Sequence, residues 1–500
     1  MLSVSEIKRF IDDDSTSEKK RLAAVGQRYY DAKHDILKCR FFFYNTDGDL
    51  EEDKARSNVK ICHPFFTELT DQLSAYMLSF DENPIRAKDN AEGLQDFLDE
   101  YFDDDFWSEI GELIEGAYKK GFEYLYAYIN ENNRLSFQCA DSMGVVEVRA
   151  KDAEDGQDHI IYWYIDRIEK GKKKVKRIQD WNKQETRFYV QYDNGRILPD
   201  EDELYNPRPH VVFTDPKTGK KMGRPLGYIP FYRLDNCKKQ ISGLNPIKGL
   251  IDDYDLMQCG LSNNLNDFDM PLQVVKGFPG DDLDKLQKNL KTKKIIGIPD
   301  AEGGVEVMTI DIPYEARKIK AEEDEKNIYR FGFGFNSSQS GDGNITNVVI
   351  RSRYTLLDLK ANKMEKRLKK LLKEIIKVVL DEINTEHKKD YQLKDIKFVF
   401  TRNIMTNETE NTENAKVEAE TRQILVNTIL NMSAEIGEEK VLEALCDVME
   451  WDYDELKGRI EKLKEEAQST ANAKELLDGI DTDDDEDEGN AGAPVFAPGA

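Results

Sequence analysis

Two clusters of acidic residues are the first places in this sequence where side chains could do chemistry. The strings DEYFDDDFW (99–107) and IDDYD (251–255) bring carboxylates close together, as the metal-binding sites of nucleases do. Acidic runs are more often solvated surfaces, and neither string has the spacing of a recognised metal motif. A metal-dependent nuclease is therefore retained only as an alternative.

Cysteine and histidine are the second source of chemistry, as nucleophiles or as metal ligands. The chain has six cysteines and five histidines, without a CxxC pair, an HExxH helix or a histidine suitably grouped with serine or cysteine. Cys62 and His63 are adjacent, but a zinc site needs two further ligands at short spacing, so we interpret the pair as local packing. The sequence thus predicts reduced thiols, no metal and no catalytic residue.

The glycine-rich run FGFGFNSSQSGDGNITN (331–347) is the third candidate, because glycine loops can cradle phosphates. No GxxxxGK[ST] motif is present, and the glycines follow a predicted helix, whereas nucleotide-binding loops of the Rossmann and kinase types follow a strand. The run is interpreted either as a solvated linker or as a mobile loop that contacts something moving past it. Neither interpretation requires a cofactor, and we predict none.

The composition limits the function classes further. A length of 500 residues predicts more than one domain. With 98 acidic against 72 basic residues the net charge is -26, which argues against a protein that clamps nucleic acid by neutralising phosphates but not against one that lets it slide past. No apolar run reaches the length of a membrane span, and the first residues lack a signal-peptide core.

The elements that would position these residues alternate in type along the chain. Helical spacing predicts helices over 66–80 and 107–129. Short runs of β-branched and aromatic residues predict strands between 134 and 235. Helices return after 244, and the acidic end of the chain beyond about residue 470 has the composition of disorder.

The order of the elements after residue 244 is more distinctive than any motif. A helix to about 268, a compact β-α-β-β module, a second helix over 313–331, the glycine-rich run and a very long helix over 348–384 follow one another. The first two helices would carry the module at the end of a stalk. Helices this exposed and charged are not stable alone. The pattern therefore indicates neighbouring copies, and a heterologous interface that closes makes a ring.

Several strings, in this order and spacing, resemble one family of proteins. RYYDAKHDI (28–36) and SNVKICHPFFTELTDQLSAYML (57–78) are similar to its N-terminal segments, and the stretch from GYIPFYRLDN to NNLNDFD (227–269) is similar to its most recognisable part. NETENTENAK (407–416) and the helices after it resemble its C-terminal end. The family is that of the portal proteins of tailed bacteriophages, in the subfamily typified by phage SPP1, and the resemblance covers about residues 20 to 466.

The resemblance implies an α+β fold in which a mixed α/β wing, a helical stem, a small α/β clip, a long tunnel helix and a helical crown assemble into a ring. Carried over by position, the parts are an N-terminal arm (1–24), the wing (25–240, with 388–414), the first stem helix (241–269), the clip (270–311), the second stem helix (312–334), the tunnel loop (335–346), the long tunnel helix (347–387), the crown (415–470) and a disordered acidic tail (471–500). The tunnel loop would form the narrowest part of the channel.

The function that the resemblance implies is mechanical. Twelve subunits would form a ring at one capsid vertex, the portal vertex of the virion, through which double-stranded DNA is packaged and ejected. The ring would dock terminase and, later, head-completion and tail proteins, and its assembly in the host cytoplasm would involve major capsid and scaffolding proteins. The resemblance implies no catalysis, no cofactor and no membrane contact. The alternative from another class is an elongated interaction or scaffold protein.

The same resemblance assigns site residues by position. The clip residues expected to bind partners are Asp281, Asp282, Lys285, Lys288 and Lys291, and the acidic candidates for the channel wall are Asp252, Asp253, Asp255 and Asp267. The DNA-facing tunnel loop comprises Asn336, Ser337, Ser338, Gln339, Ser340, Gly341, Asp342, Gly343 and Asn344. Its uncharged polar side chains offer weak, sequence-independent hydrogen bonds to phosphates. We expect deletion of 336–344 to leave the ring intact and to impair packaging.

The long helix carries an excess of basic residues in a chain that is acidic overall. Between residues 351 and 377 it has ten basic residues and three acidic ones. Arg351 and Arg353, next to the loop, are candidates for phosphate contact. Beyond residue 360 we expect the basic side chains to pair with acids of a neighbouring subunit rather than with DNA, because a ring of like-charged helices needs counter-charges.

Overall fold

The computed structural model of the chain describes residues 2–54, 56–88, 91–130, 134–169, 173–193, 195–214, 221–268, 272–276, 304–308, 314–336, 347–402, 408–431, 437–449, 453, 456–459 and 462. By internal contacts the chain divides into two compact units, residues 1–405 and 406–500. The first unit contains both helices and strands, which confirms the predicted α+β class. The predicted disordered tail lies outside the described residues.

The helices are distributed over both units. They are α1 (Val4–Ser15), α2 (Glu18–Tyr30), α3 (Phe65–Met77), α4 (Leu94–Tyr101), α5 (Asp104–Lys120), α6 (Lys248–Phe268), α7 (Tyr314–Gly332), α8 (Asn347–His387), α9 (Glu408–Asn431) and α10 (Glu438–Met449), with a short 3₁₀ helix over Asp35–Lys38. In the second unit α9 packs against α10. Among the described residues, no helix combines the length and the apolar character that crossing a membrane requires.

The strands form small antiparallel sheets in the first unit. They are β1 (Phe42–Tyr44), β2 (Leu50–Glu52), β3 (Ile85–Ala87), β4 (Phe122–Ile129), β5 (Leu135–Ala140), β6 (Val145–Val148), β7 (His159–Glu169), β8 (Lys173–Trp181), β9 (Glu185–Tyr192), β10 (Ile197–Pro199), β11 (Arg208–Pro209), β12 (Val211–Thr214), β13 (Lys221–Arg224), β14 (Phe231–Asp235), β15 (Leu272–Lys276), β16 (Gly304–Met308) and β17 (Ile396–Phe398). The largest sheet has the order β10-β9-β8-β7-β6 with β11 paired to β9, and β14-β4-β5 form another. The predicted strands between 134 and 235 are confirmed.

The helix predicted over 107–129 is correct only in its first part. Helix α5 ends at Lys120, because Gly121 follows in the left-handed region with φ 96°, which glycine adopts without steric cost. Residues 122–129 form β4 instead. Most of β4 is buried on both faces, so its sequence lacks the alternation of apolar and polar residues that would have identified a strand.

The largest apolar core of the first unit is built around the long helix α8. Buried residues recur along one face of that helix at spacings of three and four. They are Leu357, Ala361, Met364, Leu368, Leu371, Leu372, Ile375, Ile376, Val379, Leu380 and Ile383. Helix α3 contributes Leu69 and Leu73 to the same core, and α5 contributes Ile110 and Ile114. The helix predicted over 348–384 is thus confirmed, and one face of it is buried in the core that it shares with α3 and α5.

The predicted order of stalk helix, module and stalk helix is present in part. Helix α6 packs along α7, and β15 and β16, which follow α6 and precede α7, pair antiparallel from Leu272 opposite Met308 to Lys276 opposite Gly304. The helix and the additional strand predicted between these two strands lie outside the described residues. The helix pair therefore carries a strand pair between the end of α6 and the start of α7.

Candidate functional site

Two residues within the glycine-rich run, Phe335 and Asn336, are held by hydrogen bonds from other elements. Gln72 on α3 forms two hydrogen bonds with the backbone of Phe335: the N–H of Phe335 donates to Oε1 at 3.0 Å, and Nε2 donates to the carbonyl oxygen at 2.8 Å. Asn336 donates from Nδ2 to Oε1 of Glu325 at 3.0 Å. Residues 335 and 336, which we call the loop root, are therefore anchored to α3 and α7.

The loop root also contacts the long helix. The ring of Phe335 stacks on Tyr354 of α8, with ring centroids 4.7 Å apart and planes inclined by 8°. Gly334 leaves no room for a side chain, since a Cβ there would lie 2.0 Å from Cδ2 of Leu69. The residue before the loop root and the second turn of α8 are thus held against the apolar core of the first unit. Sequence reasoning did not identify Gln72 or Tyr354, because nothing local relates them to residue 335.

The expected tunnel-loop residues are only partly within the described structure. Asn336 belongs to the loop root, whereas Ser337, Ser338, Gln339, Ser340, Gly341, Asp342, Gly343 and Asn344 lie outside the described residues. Arg351 and Arg353 lie in the first two turns of α8. The expected clip residues Asp281, Asp282, Lys285, Lys288 and Lys291 also lie outside the described residues.

The acidic residues on α6 differ in their surroundings. Asp252 accepts a hydrogen bond from Nζ of Lys248 at 2.6 Å and another from the hydroxyl of Tyr29. Asp253 pairs with Nζ of Lys320 on α7 at 2.8 Å. Asp267 is exposed and accepts a hydrogen bond from the backbone N–H of Ser57 at 3.2 Å. Lys248 also pairs with Asp35, and Lys320 also pairs with Asp324. Each lysine therefore serves two carboxylates and compensates the charge of Asp252 or Asp253 only in part.

Asp255 contradicts its assignment to an acidic channel wall. Its carboxylate is fully buried and contacts Nδ1 of His34 at 2.5 Å and Nδ1 of His63 at 2.8 Å, with the backbone N–H of His63 at 3.0 Å. Burial acts to raise the pKa of Asp255, but the hydrogen bonds from the two histidines outweigh it and hold that pKa below its usual value. Burial of a carboxylate without such partners would cost too much free energy. Because the Asp255 side chain is buried, it cannot line a channel.

One group of potential metal ligands surrounds Asp255. A ligand atom from each of His34, Cys62 and Asp255 lies within 4.8 Å of the others. Burial raises the pKa of the Cys62 thiol. The sequence pointed to Cys62 and His63 but not to His34 and Asp255, because the fold brings these residues together from three distant segments.

Lys360, which lies near the loop root, has a side-chain pKa well below its usual value. Its Nζ donates to the carbonyl oxygen of Gly332 at 3.0 Å and lies 3.9 Å from the ring centroid of Tyr118. It lines a cavity of about 310 Å³ together with Lys363. Burial of the ammonium group lowers the pKa of Lys360 to about 7. Neither the carbonyl oxygen nor the aromatic ring carries a full negative charge that would compensate it.

The basic run beyond residue 360 has a clear orientation. Five lysines that are exposed in the single chain follow one face of α8 at spacings of three and four; we call them the lysine stripe, and they are Lys363, Lys366, Lys370, Lys373 and Lys377. Lys369, beside the stripe, instead pairs with Glu365 at 2.6 Å. Such a stripe of one charge is a surface suited to an acidic partner.

The chain is similar to known proteins over most of its length. Residues 8–473 match the family described as phage portal protein, SPP1 Gp6-like. The portal protein of Bacillus phage SPP1 is 23% identical over 472 residues, which cover 94% of this chain and 88% of that protein. The portal protein of Clostridium phage phiCD119 is 26% identical over 431 residues, covering 82% and 89%. A chain from the neck of a native GTA particle computed with C12 symmetry aligns with TM-score 0.31 and 13% identity, covering 60% of this chain and 74% of that one.

Replacement of Lys360 by methionine should change how stability depends on pH. In the folded wild type the Lys360 ammonium has a pKa of about 7, against an ordinary value of 10.5 in the unfolded chain. Between these two pH values the unfolded chain binds more protons, so the free energy of unfolding rises with pH, by at most about 1.4 kcal/mol per pH unit for one proton. Lys360→Met should lose this rise in urea unfolding curves recorded from pH 7 to pH 10.

Lys363→Met is the matched control for this experiment. Lys363 lines the same cavity but is exposed, so the variant should keep the pH dependence of the wild type. Equal pH dependence of the wild type and Lys360→Met would show that Lys360 keeps its proton throughout this range.

Proposed function

The chain belongs to the SPP1 Gp6-like family of phage portal proteins, and we propose that twelve copies of it form the channel at one capsid vertex through which double-stranded DNA enters and leaves. The match over residues 8–473 is the observation that carries this proposal. The match spans residues 8–405 of the first unit and continues into the second. The protein would act mechanically and as a docking platform, without catalysis of its own, while ATP hydrolysis would belong to a separate terminase.

The anchoring of the loop root supports the assignment of residues 335–346 as the tunnel loop. A loop that contacts moving DNA needs ends that do not move with it. Gln72 and Tyr354 hold Phe335, and Glu325 holds Asn336. Serine, glutamine and asparagine side chains would then offer phosphates weak hydrogen bonds that do not depend on base sequence, and Asp342 would repel them. The contact is therefore one that permits sliding.

The stem would present DNA with a weakly charged wall. Lys248 and Lys320 compensate Asp252 and Asp253 in part, since both lysines also pair with other aspartates. Asp255 is buried, and Asp267 is exposed. A surface of this kind attracts phosphates little, and it would not retard translocation as a dense basic surface does. Asp267 and the exposed parts of Asp252 and Asp253 remain the acidic wall candidates of this proposal.

The clip and the virion context complete the proposal. The segment 270–311, which includes Asp281, Asp282, Lys285, Lys288 and Lys291, would dock terminase during packaging and head-completion and tail proteins afterwards. Assembly would take place in the host cytoplasm with major capsid and scaffolding proteins, and the finished ring would occupy the portal vertex of the virion. Arg351 and Arg353, beside the tunnel loop, would contact phosphate.

The lysine stripe would meet acidic residues of the neighbouring subunit. The stripe is exposed in the single chain, and the opposite face of α8 is buried in the wing. Twelve stripes in one ring would repel each other unless each faced acids of the next copy. Acids that are exposed in the single chain include Asp103, Asp104 and Asp105 at the start of α5 and Glu322 and Glu323 on α7.

Deletion of Ser337–Asn344 should separate assembly from translocation. The deletion leaves the loop root and its bonds to Gln72 and Glu325 in place, so rings of normal mass should form. DNA packaging should fail or packaged DNA should leak, because the narrowest contact is lost. The yield of DNA-filled particles and the mass of purified rings are the two measurements.

Ser337→Ala with Ser338→Ala is the matched control for the deletion. It keeps the loop length and removes two weak donors, so packaging should persist, since sequence-independent contacts are individually small. Normal packaging and retention by the deletion variant would show that these residues are not the tunnel loop.

Charge reversal of Lys370 and Lys373 should prevent ring formation. Glutamates at these positions would face the acids proposed for the neighbouring subunit, and juxtaposed like charges strongly disfavour an interface. Size-exclusion chromatography with light scattering should show smaller species for the double variant. Lys389→Glu with Lys394→Glu, exposed lysines outside the stripe, should assemble normally. Intact rings that fail to package DNA would instead assign the stripe to phosphate contact.

A further inference from the structure

The histidine–aspartate pair inside the first unit brings two potential metal-ligand atoms into contact. Nε2 of His34 lies 3.3 Å from the backbone carbonyl oxygen of Tyr29, which can only accept, so Nε2 carries the hydrogen. Nδ1 of the same ring faces Oδ2 of Asp255 at 2.5 Å. An imidazole nitrogen and a carboxylate oxygen are both common ligands of a metal ion, and the fold places one of each side by side.

The surroundings of His34 resemble those of a metal-binding histidine. Such a histidine donates its second N–H to a carbonyl or carboxylate, which fixes the tautomer and the ring orientation, and Tyr29 supplies that carbonyl. The ring of Tyr29 also stacks on His34, with centroids 4.5 Å apart and planes inclined by 10°. His34 is thus oriented before any ion binds.

A third ligand of a different chemical type lies beside the pair. The sulfur of Cys62 and the ligand atoms of His34 and Asp255 all lie within 4.8 Å of one another. The second carboxylate oxygen of Asp255 is held by Nδ1 and the backbone N–H of His63, so a metal-binding carboxylate would have its own hydrogen bonds, as outer-shell groups usually provide. His63 keeps 28% of its side chain exposed, which leaves the site adjacent to solvent.

We propose that His34, Cys62 and Asp255 bind a zinc ion, with a fourth position open to water. One nitrogen, one thiolate and one carboxylate form a ligand set that favours Zn²⁺ over the hard cations Mg²⁺ and Ca²⁺. In a tetrahedral site the nitrogen and oxygen ligands lie about 3.3 Å apart, so binding of the ion would separate His34 from Asp255 by less than about 1 Å. Binding would release the thiol proton of Cys62.

The consequence of zinc binding would be structural. His34 precedes the 3₁₀ helix, Cys62 precedes α3, and Asp255 lies on α6. An ion bound by all three would join the wing to the first stem helix at one point. The expectation of no metal rested on the lack of nearby ligands in the sequence, whereas the fold supplies them from positions far apart in the chain.

Zinc titration of the purified full chain tests this proposal. The protein is prepared without a histidine tag, depleted of metal on a chelating resin, and titrated with Zn²⁺ against a competing indicator. We expect one equivalent of Zn²⁺ per chain and a higher unfolding temperature after zinc addition. Substitution with Co²⁺ should give the absorption of a cobalt–thiolate bond.

Three variants make the result specific. Loss of an outer-shell group alone weakens metal binding by roughly 10–100-fold, so Cys62→Ser should weaken it at least about 100-fold and abolish the cobalt–thiolate absorption. His34→Gln should do the same, and Cys62→Ser remains decisive if His34→Gln fails to fold. Cys237→Ser, a cysteine outside the site, should bind zinc as the wild type does.

Two results would overturn the proposal. The wild type could bind no stoichiometric zinc, in which case His34 and Asp255 form only a hydrogen-bonded pair. Alternatively, Cys62→Ser could bind zinc with unchanged affinity, in which case the ion occupies another site. Neither result bears on ring formation, so failure of the zinc site and failure of the portal function are distinguishable.

Discussion

The burial of one face of α8 is the constraint on which the rest of this structure depends. The helix has 41 residues, and most of the stability of a helix in a protein comes from packing of its apolar face rather than from intrinsic propensity. Its buried face from Leu357 to Ile383 packs into the largest core of the first unit, and each fully buried leucine or isoleucine contributes about 1.5–3 kcal/mol. Because that face is fixed, two further features are fixed with it: the side on which the lysine stripe is exposed, and the position of Tyr354, against which Phe335 stacks.

Polar groups around this core are arranged according to their distance from solvent. Asp255 lies inside and has two histidine partners, Asp252 and Asp253 lie nearer the surface and have lysine partners, and Asp267 is exposed. The loop root, in contrast, is held by hydrogen bonds of side-chain amides and by the stacking of two aromatic rings, as the contacts of Gln72, Asn336 and Tyr354 show. A channel built from such parts would keep its rigid contacts uncharged or compensated, and it would leave DNA to meet a loop rich in serine, glycine and asparagine.

Much of the fold could be predicted from the sequence, because the patterns involved are local. The apolar spacing of α8 and the order of α6, strand pair and α7 are properties of contiguous segments. Prediction failed where the deciding contacts are distant: β4 looked helical because both of its faces are buried, and Asp255 looked like a surface acid because His34 and His63 are about 200 residues away in the chain. The loop root was missed for the same reason, since Gln72 lies far from Phe335 in sequence.

Ring formation is the central claim, and electron microscopy of the purified chain together with its mass from light scattering tests it most directly. A ring of twelve copies would appear as particles with a central hole and would have a mass about twelve times the 57.7 kDa of one chain. Monomers or elongated particles that persist at high protein concentration, and with capsid and scaffolding proteins added, would contradict it and favour an elongated interaction protein instead.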